Sequence, residues 1–415
     1  MISSPYKIEC ELGEITTTSH KLNAKGQSSY DSGAEFFAPT ASREKFKSNR
    51  FMELSLDFST DMSDRKAAER LNRIRNESHG ILPTTYRNTM EREGQKIQQC
   101  IEAKCATALL QNGFNAEGEY LDDSGFKPDK SIYIDHDMVR EAADALELPS
   151  YNISDYESPE HAVNVSVDDV FVKKQTEKRP KAVDAEQPKR VANTVIHVQK
   201  GGGSYILNGS TLIGTLKQLI GFLLCCGLLG RQLVFFTDGA RDLHSAIPKM
   251  FSFLNYKIIL DWYHLKKKCQ EQLSMALKGS KVRNEFLDKL LPCLWFGNIS
   301  KAILLLKNID QEKVKNHEIT VKLIEYLERV RGFIPCYALR KQLGLRNSSN
   351  LGEKSNDLVV ANRQKHNGMS WSKDGSVAFA SVSSAVYNNE IVLWVNNHDL
   401  AFNLVEVSSP GQIAA

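Results

Sequence analysis

The stretch Gln232-Leu-Val-Phe-Phe-Thr-Asp-Gly239 is a run of apolar, largely β-branched and aromatic residues that ends at an acidic residue followed by glycine. Such a run predicts a buried strand, and Gly239 lets the backbone turn sharply beside Asp238. Because α/β sheets build their sites at the carboxyl ends of strands, Asp238 is a candidate site residue. The alternative is a simple Asp-Gly turn after a buried strand.

Two further acidic residues lie in comparable settings. Asp168, in Val165-Ser-Val-Asp-Asp-Val170, is predicted to end a strand, and Asp169 faces the opposite side and could take its place. Glu353, in Asn350-Leu-Gly-Glu-Lys-Ser-Asn-Asp357, is predicted to lie in the first turn of a helix, where an acidic residue is usually only a dipole partner.

The combination of the three carboxylates predicts a metal site. Carboxylates repel one another and are costly to desolvate, so a fold tolerates such a cluster mainly when a cation neutralises it. Hard oxygen ligands suit Mg²⁺, or Mn²⁺ in its place, and two such ions held together are a recurrent device for cutting phosphodiesters. The candidate ligands, and candidate catalytic residues, are Asp168, Asp238 and Glu353.

The surrounding pattern predicts an α/β fold. Strand-like runs at 163–172, 194–199 and 204–208 precede an apolar helix. Strands at 232–236 and 256–260 follow, with a short helix between them. Three strands, a helix, a strand, a helix and a strand describe a ribonuclease-H-like mixed sheet.

The length of 415 residues indicates two or three domains. After residue 264 the pattern is helical for about eighty residues, too long for a loop, so an all-helical insertion is expected. The predicted divisions are a polar irregular arm (1–50), a helical DNA-binding domain (51–110), a connector with one short helix (111–160), the first part of the catalytic domain (161–264), the insertion (265–345), the last part of the catalytic domain (346–400) and a tail (401–415).

The N-terminal helices resemble a helix-turn-helix module, because a helix, a turn and a second helix fit into about thirty residues. The side chains of Thr84, Thr85, Arg87, Asn88 and Arg92 would be available to a major groove. The alternative is a small helical subdomain whose charges are merely solvated.

Composition sets broad limits. A hydrophobic content of 41% and a charged content of 25% are typical of a soluble protein with a real core, and the net charge of +3 does not by itself indicate a nucleic-acid partner. Eight cysteines without paired CxxC motifs disfavour a zinc ribbon. The absence of a secretory signal favours reduced thiols in the cytoplasm. The most apolar segment, 219–229, is far too short to span a bilayer and predicts a buried helix.

The chain resembles DDE-type transposases of bacterial insertion sequences, of the kind with a helical insertion in a ribonuclease-H-like domain. The motifs around Asp168 and Asp238 carry the resemblance, together with the Asp-x-x-His signature of Leu260-Asp-Trp-Tyr-His-Leu-Lys-Lys267. The third motif runs from Asn350 through Glu353 to the Gly-Met-x-Trp tail that ends at Trp371. The combination covers roughly residues 160–375.

The resemblance implies that two metal ions on the three carboxylates support hydrolysis at the ends of a mobile element and transfer of the freed 3′-hydroxyls to target DNA. The implied partners are double-stranded DNA ends, target DNA and further copies of the chain, as a homodimer or larger assembly. The protein is expected in the cytoplasm, associated with the nucleoid when bound to DNA.

Several neighbouring residues are assigned supporting roles. Asp261 and His264 are expected to brace the carboxylates or orient DNA; alternatively, His264 only bonds Asp261 and caps the insertion helix. Arg363 and Lys365 are expected to touch phosphates, with a solvated face as the alternative. Trp371 is expected to stack on a flipped base or to anchor the core.

Two other classes of function remain open. The chain could be a catalytically inactive or truncated transposase-derived DNA-binding protein. It could also be a structure-selective ribonuclease-H-like nuclease that cuts branched DNA. The basic run at 265–268 is typical of a solvated helix end.

Overall fold

The computed structural model of the chain describes residues 2–22, 30–31, 46–78, 80–121, 134–175, 189–365 and 369–406. The strands are β1 (Ile2–Cys10), β2 (Gly13–Leu22), β3 (Tyr30–Asp31), β4 (Phe46–Lys47), β5 (Ala162–Lys173), β6 (Arg190–Lys200), β7 (Gly203–Gly209), β8 (Gln232–Thr237), β9 (Tyr256–Leu260) and β10 (Val405–Glu406).

The α-helices are α1 (Asn49–Phe58), α2 (Asp64–Ile74), α3 (Pro83–Gln111), α4 (His136–Ala145), α5 (Leu212–Cys225), α6 (Arg241–Phe251), α7 (Trp262–Ala276), α8 (Ser280–Trp295), α9 (Ile299–Lys307), α10 (His317–Arg329), α11 (Tyr337–Gln342), α12 (Asn350–Asn356), α13 (Asn362–Gln364), α14 (Lys373–Tyr387) and α15 (Ile391–Asn397). A π-helical turn, Asp357–Ala361, joins α12 to α13.

The central sheet is mixed and has the strand order β10-β7-β6-β5-β8-β9. Strand β6 is antiparallel to both β5 and β7, whereas β8 is parallel to β5 and β9 is parallel to β8. The predicted α/β class is therefore confirmed, and the chain runs through three strands, a helix, a strand, a helix and a strand as the pattern indicates.

Strand β5 differs from its prediction in one respect that matters for the site. It continues unbroken to Lys173, so Asp168 lies within the strand and not at its end. The reason is that β6 pairs with β5 as far as the Lys173–Arg190 pair, whereas β8 pairs with β5 only as far as the Ser166–Phe236 pair. Asp168 therefore lies two residues beyond the last β5–β8 pair, whereas it is still paired with β6.

The stretch predicted to be an all-helical insertion contains α7 to α11, and its first helix begins at Trp262. These helices enclose their own hydrophobic cluster, which includes Leu273, Leu290 and Leu327. The same cluster includes Phe236 of β8, so the helical unit packs directly on the sheet beside the predicted site. The short helix predicted in the connector is α4, which packs against α11.

The N-terminal helices share one hydrophobic core with the central sheet and so do not form a separate body. Helix α3 packs closely against α14 and α5. A Cβ at Gly94 would lie 2.1 Å from the carbonyl oxygen of Ala378, and one at Gly221 would lie 2.5 Å from the Cβ of Cys105. Side chains at these two positions would separate the helices.

The prediction of an irregular N-terminal arm is wrong for residues 2–22, which form an antiparallel hairpin of β1 and β2. The hairpin lacks a hydrophobic alternation, but its β-branched residues, such as Ile15 and Thr16 to Thr18, favour an extended backbone. At the other end, residues 405–406 pair with β7 and extend the sheet into the predicted tail. Residues 23–29, 32–45 and 407–415 of the arm and tail lie outside the described residues.

The apolar segment near residue 220 belongs largely to α5, whose Leu219, Ile220, Phe222 and Leu223 are buried. Within the described ranges, none of the helices has both the length and the apolar character that crossing a membrane requires.

Candidate active site

Asp168 lies in β5, and Asp238 lies beside it as the residue that follows the neighbouring parallel strand β8. The last pair of the β5–β8 ladder is Ser166–Phe236, and two residues further along each strand come the two aspartates. Gly239 follows with a φ of +89°, a left-handed conformation that glycine adopts without strain. The resulting turn lets the backbone N–H of Ala240 donate to Oδ1 of Asp238 at 2.8 Å, which fixes that carboxylate.

Glu353 reaches the same place because α12 lies unusually close to β5. A Cβ at Gly352 would lie 2.5 Å from the Cβ of Ser166, so only glycine permits this approach. The three predicted acidic residues consequently line one cleft. The cleft is also lined by His197, His264 and Asn356.

The carboxylates of the cleft are held mainly by neutral groups. The side-chain amide of Asn356 donates to Oδ2 of Asp168 at 2.7 Å, and the backbone N–H of Asp169 donates to Oδ1 at 2.8 Å. Oε1 of Glu353 lies 3.1 Å from Nε2 of His264. Asp169 does not line the cleft; its carboxylate accepts a hydrogen bond from the Thr194 hydroxyl at 2.6 Å. The geometry therefore favours Asp168 over Asp169 as the site residue.

The ionised form of Asp168 is destabilised by its surroundings in the cleft. Burial, followed by the nearby charge of Asp238, raises the pKa of Asp168 to about 6, although His264 acts in the opposite direction. Burial also raises the pKa of Glu353, again with His264 opposing. A divalent cation would relieve this repulsion, and carboxylate oxygens are the donors that Mg²⁺ and Mn²⁺ accept.

The donor set fits such a cation in its chemistry. As the side chains are placed, however, no three His, Cys, Asp or Glu residues in the described part of the chain come close enough together to hold one ion. Binding of an ion would therefore require the carboxylates to draw together.

Asp261 is buried and ties two parts of the site to each other. Its Oδ1 accepts from the backbone N–H groups of Tyr263 at 2.7 Å and His264 at 3.3 Å, which caps α7. Its Oδ2 accepts from the backbone N–H and the hydroxyl of Ser349, the latter at 2.7 Å. The carbonyl of Ser349 in turn accepts from the N–H of Glu353 at 3.0 Å. Asp261 thus holds the start of the insertion against the start of the Glu353 helix.

His264 combines the two roles that its sequence left open. Its backbone N–H bonds the capping carboxylate of Asp261, whereas its imidazole lies against Glu353. The side chain therefore braces a carboxylate of the cleft in addition to any role of its backbone in starting the helix.

The prediction that Arg363 and Trp371 contact DNA is not compatible with their positions. Both side chains are fully buried beneath α14. Nη2 of Arg363 donates to Asp64 at 2.6 Å, and its guanidinium lies 5.1 Å from the centroid of the Trp371 ring. The Trp371 indole N–H donates to the carbonyl of Gln364 at 3.2 Å, so Trp371 anchors the core. Lys365 is exposed, and its predicted phosphate contact stays a prediction.

The N-terminal DNA-binding candidates lie in the first turns of α3. Thr84, Thr85 and Asn88 are exposed, as a groove-reading surface requires. Arg87 is half-buried, and its Nε donates to Glu91 at 2.9 Å. The helix-turn-helix interpretation stays a prediction for these positions.

The site also includes Asn356, Gly352 and Ser349, to which no role was assigned from the sequence. Asn356 follows Glu353 by three residues, and this helical spacing predicts that it lies near the same face of the helix. Gly352 and Ser349 carry no comparable signal, because their roles depend on the contacts with Ser166 and Asp261 across the fold.

Comparisons with known proteins do not extend this picture: no protein-family model, no curated protein and no solved structure matches the chain.

Proposed function

We propose that this chain is a DDE-type transposase, which hydrolyses phosphodiester bonds at the ends of an insertion sequence and joins the freed ends to target DNA. The observation that carries the proposal is the adjacency of Asp168 and Asp238 on parallel strands, with Glu353 brought to them on a helix. The order β7-β6-β5-β8-β9, with only β6 reversed, supports a ribonuclease-H-like sheet.

Asp168, Asp238 and Glu353 would hold two Mg²⁺ or Mn²⁺ ions. When bound, these ions supply charge stabilisation to the attacking and leaving oxygens of an in-line displacement at phosphorus. The protein's own groups position the ligands: Asn356 orients Asp168, the Ala240 N–H orients Asp238, and His264 orients Glu353. No covalent protein intermediate is required.

The proposed substrates are double-stranded DNA ends and a DNA target. Joining two ends to one target calls for at least two copies of the site, so the working form is a homodimer or a larger assembly. The protein would act on DNA in the cytoplasm, in association with the nucleoid.

The test begins with a search for short inverted repeats in the DNA that flanks the coding region, and then measures cleavage of a fragment that carries such repeats by purified protein in Mg²⁺. We expect nicks at the repeat ends and strand-transfer products. Asp238→Asn should lower the cleavage rate by at least about a thousandfold, which corresponds to an increase of about 4 kcal/mol in the activation free energy. The variant should still bind the fragment and shift it in a gel. Asp242→Asn, which neutralises an exposed carboxylate four positions further along, is the matched control and should cleave normally.

Three results would contradict the proposal. Cleavage by Asp238→Asn at the wild-type rate would remove this carboxylate from the reaction. Binding without any cleavage by the wild type would favour an inactive DNA-binding protein, and cutting of branched DNA without repeat ends would favour a structure-selective nuclease.

A further inference from the structure

A groove with an excess of positive charge adjoins the acidic cleft. It lies between α7 and α10 of the helical insertion and the turn after β8, and Asp238 and His264 line both the groove and the cleft. We call it the basic groove, and its remaining charged and aromatic members are Lys267, Lys268, Glu271, Tyr326 and Arg329.

Among the described residues, the cations Lys267, Lys268 and Arg329 of the basic groove form no ion pair. Across the described ranges, no carboxylate oxygen lies within 4.0 Å of a side-chain nitrogen of Lys267, Lys268 or Arg329. Two other cations of the same helical unit are paired, Lys322 with Glu318 at 2.6 Å and Arg331 with Glu328 at 2.8 Å. The groove differs from these sites in that three cations without ion pairs to described residues line one surface beside Asp238.

Aromatic rings and one backbone group support these cations in place of carboxylates. The Lys268 ammonium lies 5.9 Å from the centroid of the Tyr326 ring. The guanidinium of Arg329, which is on α10 like Tyr326, lies 5.4 Å from the same centroid. Nη1 of Arg329 also donates to the carbonyl of Gly239 at 3.1 Å. The guanidinium is thus fixed beside the Asp238 turn, and its other N–H donors are available to a ligand.

We propose that the basic groove binds the phosphodiester backbone of the DNA strand that leads into the acidic cleft. Without a bound metal ion, a cleft of three carboxylates repels a polyanion, and cations beside the cleft would offset that repulsion. The three cations Lys267, Lys268 and Arg329 outnumber the two acids of the groove, Glu271 and the shared Asp238, and they lie on the path that leaves the cleft past Asp238. The location of the strand rests on the proposed function, whereas the binding itself needs no catalysis.

The test measures the affinity of the full chain for a fluorescein-labelled DNA duplex of arbitrary sequence, in EDTA, by anisotropy at salt concentrations from roughly 50 to 200 mM. Each phosphate contact contributes a slope of about −0.9 to the plot of log K against log salt. The double variant Lys267→Gln with Lys268→Gln should therefore lower the steepness by about two. Both lysines are exposed, so the variant should fold normally.

Two comparison variants sharpen the result. Lys289→Gln with Lys301→Gln removes the same number of exposed cations from α8 and α9, outside the groove, and should leave the slope unchanged. Glu271→Gln removes one of the two negative charges of the groove and should tighten binding severalfold. Partial unfolding would weaken DNA binding in both the lysine variant and the Glu271 variant. Tighter binding by the Glu271 variant would therefore show that charge, and not unfolding, causes the changes.

An unchanged slope in the Lys267 and Lys268 double variant would overturn the groove proposal, whether or not the protein cleaves DNA. If the slope falls as expected but the wild type cuts no DNA in Mg²⁺, the proposed function fails and the groove stands. Tighter, equally lysine-dependent binding of an RNA duplex would overturn the assignment to DNA.

Discussion

Two sets of charged side chains in this molecule have opposite surroundings. At the base of the helical unit, Arg340 is fully buried and donates to both carboxylate oxygens of Glu157, at 2.6 and 2.5 Å, and to the carbonyl of Arg346 at 2.7 Å. In the cleft, Asp168 and Asp238 adjoin each other and receive hydrogen bonds from amides. Opposite charges are therefore paired in the buried core of the molecule, whereas like charges lie together in the cleft where a ligand is expected.

The largest effect on stability should come from breaking the buried ion pair of Arg340 and Glu157, here called the matched pair. Arg340→Gln leaves the Glu157 carboxylate buried without its cation, which should lower the free energy of unfolding by about 3–5 kcal/mol. Urea unfolding followed by circular dichroism measures this change. Replacing both partners with Met should recover most of the loss, because a buried pair is often no better than apolar groups of similar volume. Equal losses in the single and double variants would mean that the pair is not matched as described.

The next effect concerns His197, which is buried in the wall of the cleft. Burial and the positive charge of Arg346 lower the pKa of His197 from its ordinary 6.5 to about 4. The unfolded chain therefore takes up a proton as the pH falls below about 6.5, whereas the folded chain resists it down to about 4. Stability should fall across that window by about 3 kcal/mol.

Unfolding measured from pH 7 to pH 4 in wild type and His197→Gln isolates this contribution from that of Asp168, whose raised pKa acts in the opposite direction. The wild type should lose more stability than the variant as the pH falls. Parallel curves would contradict a neutral, buried His197.

A smaller effect is expected where α12 touches β5. Gly352→Ala places a methyl group against Ser166, so it should cost about 1–3 kcal/mol and displace Glu353 from the cleft. Cleavage should fall by up to about a hundredfold. Ser166→Gly in the same chain removes the obstructing Cβ and should restore part of the activity. Gly202→Ala is the control, because no atom lies within 4 Å of a Cβ there. A lack of rescue would argue against the close contact.

The smallest effect should have the reverse sign. Without metal at pH 8, Asp238→Asn removes a like charge beside Asp168, and the free energy of unfolding should rise by up to about 1 kcal/mol. Added Mg²⁺ should stabilise the wild type and not this variant. Thermal unfolding in EDTA and in Mg²⁺ measures both changes. If Asp238→Asn lowers the free energy of unfolding in EDTA, the negative charge of Asp238 stabilises the fold, and the proposed repulsion between Asp168 and Asp238 is contradicted.

The sheet and the acidic triad could be predicted because their signals are local. Strand β8 is a continuous apolar run closed by Asp238 and Gly239, and Glu353 lies in a recognisable helix start. The core position of Trp371 is one of the two alternatives predicted for it. Burial of Arg363 could not be predicted, since it depends on its contact with Asp64, about three hundred positions away along the chain. The N-terminal hairpin was missed because β-branched residues form it without a periodic apolar face.

Metal binding tests the central claim most directly. Mn²⁺ titration of the purified protein, followed by electron paramagnetic resonance, counts the bound ions in the wild type and in Asp168→Asn, Asp238→Asn and Glu353→Gln. The account predicts two ions per chain in the wild type and a weakened or lost site in each variant. Wild-type Mn²⁺ binding in all three variants, or no binding by the wild type, would contradict it.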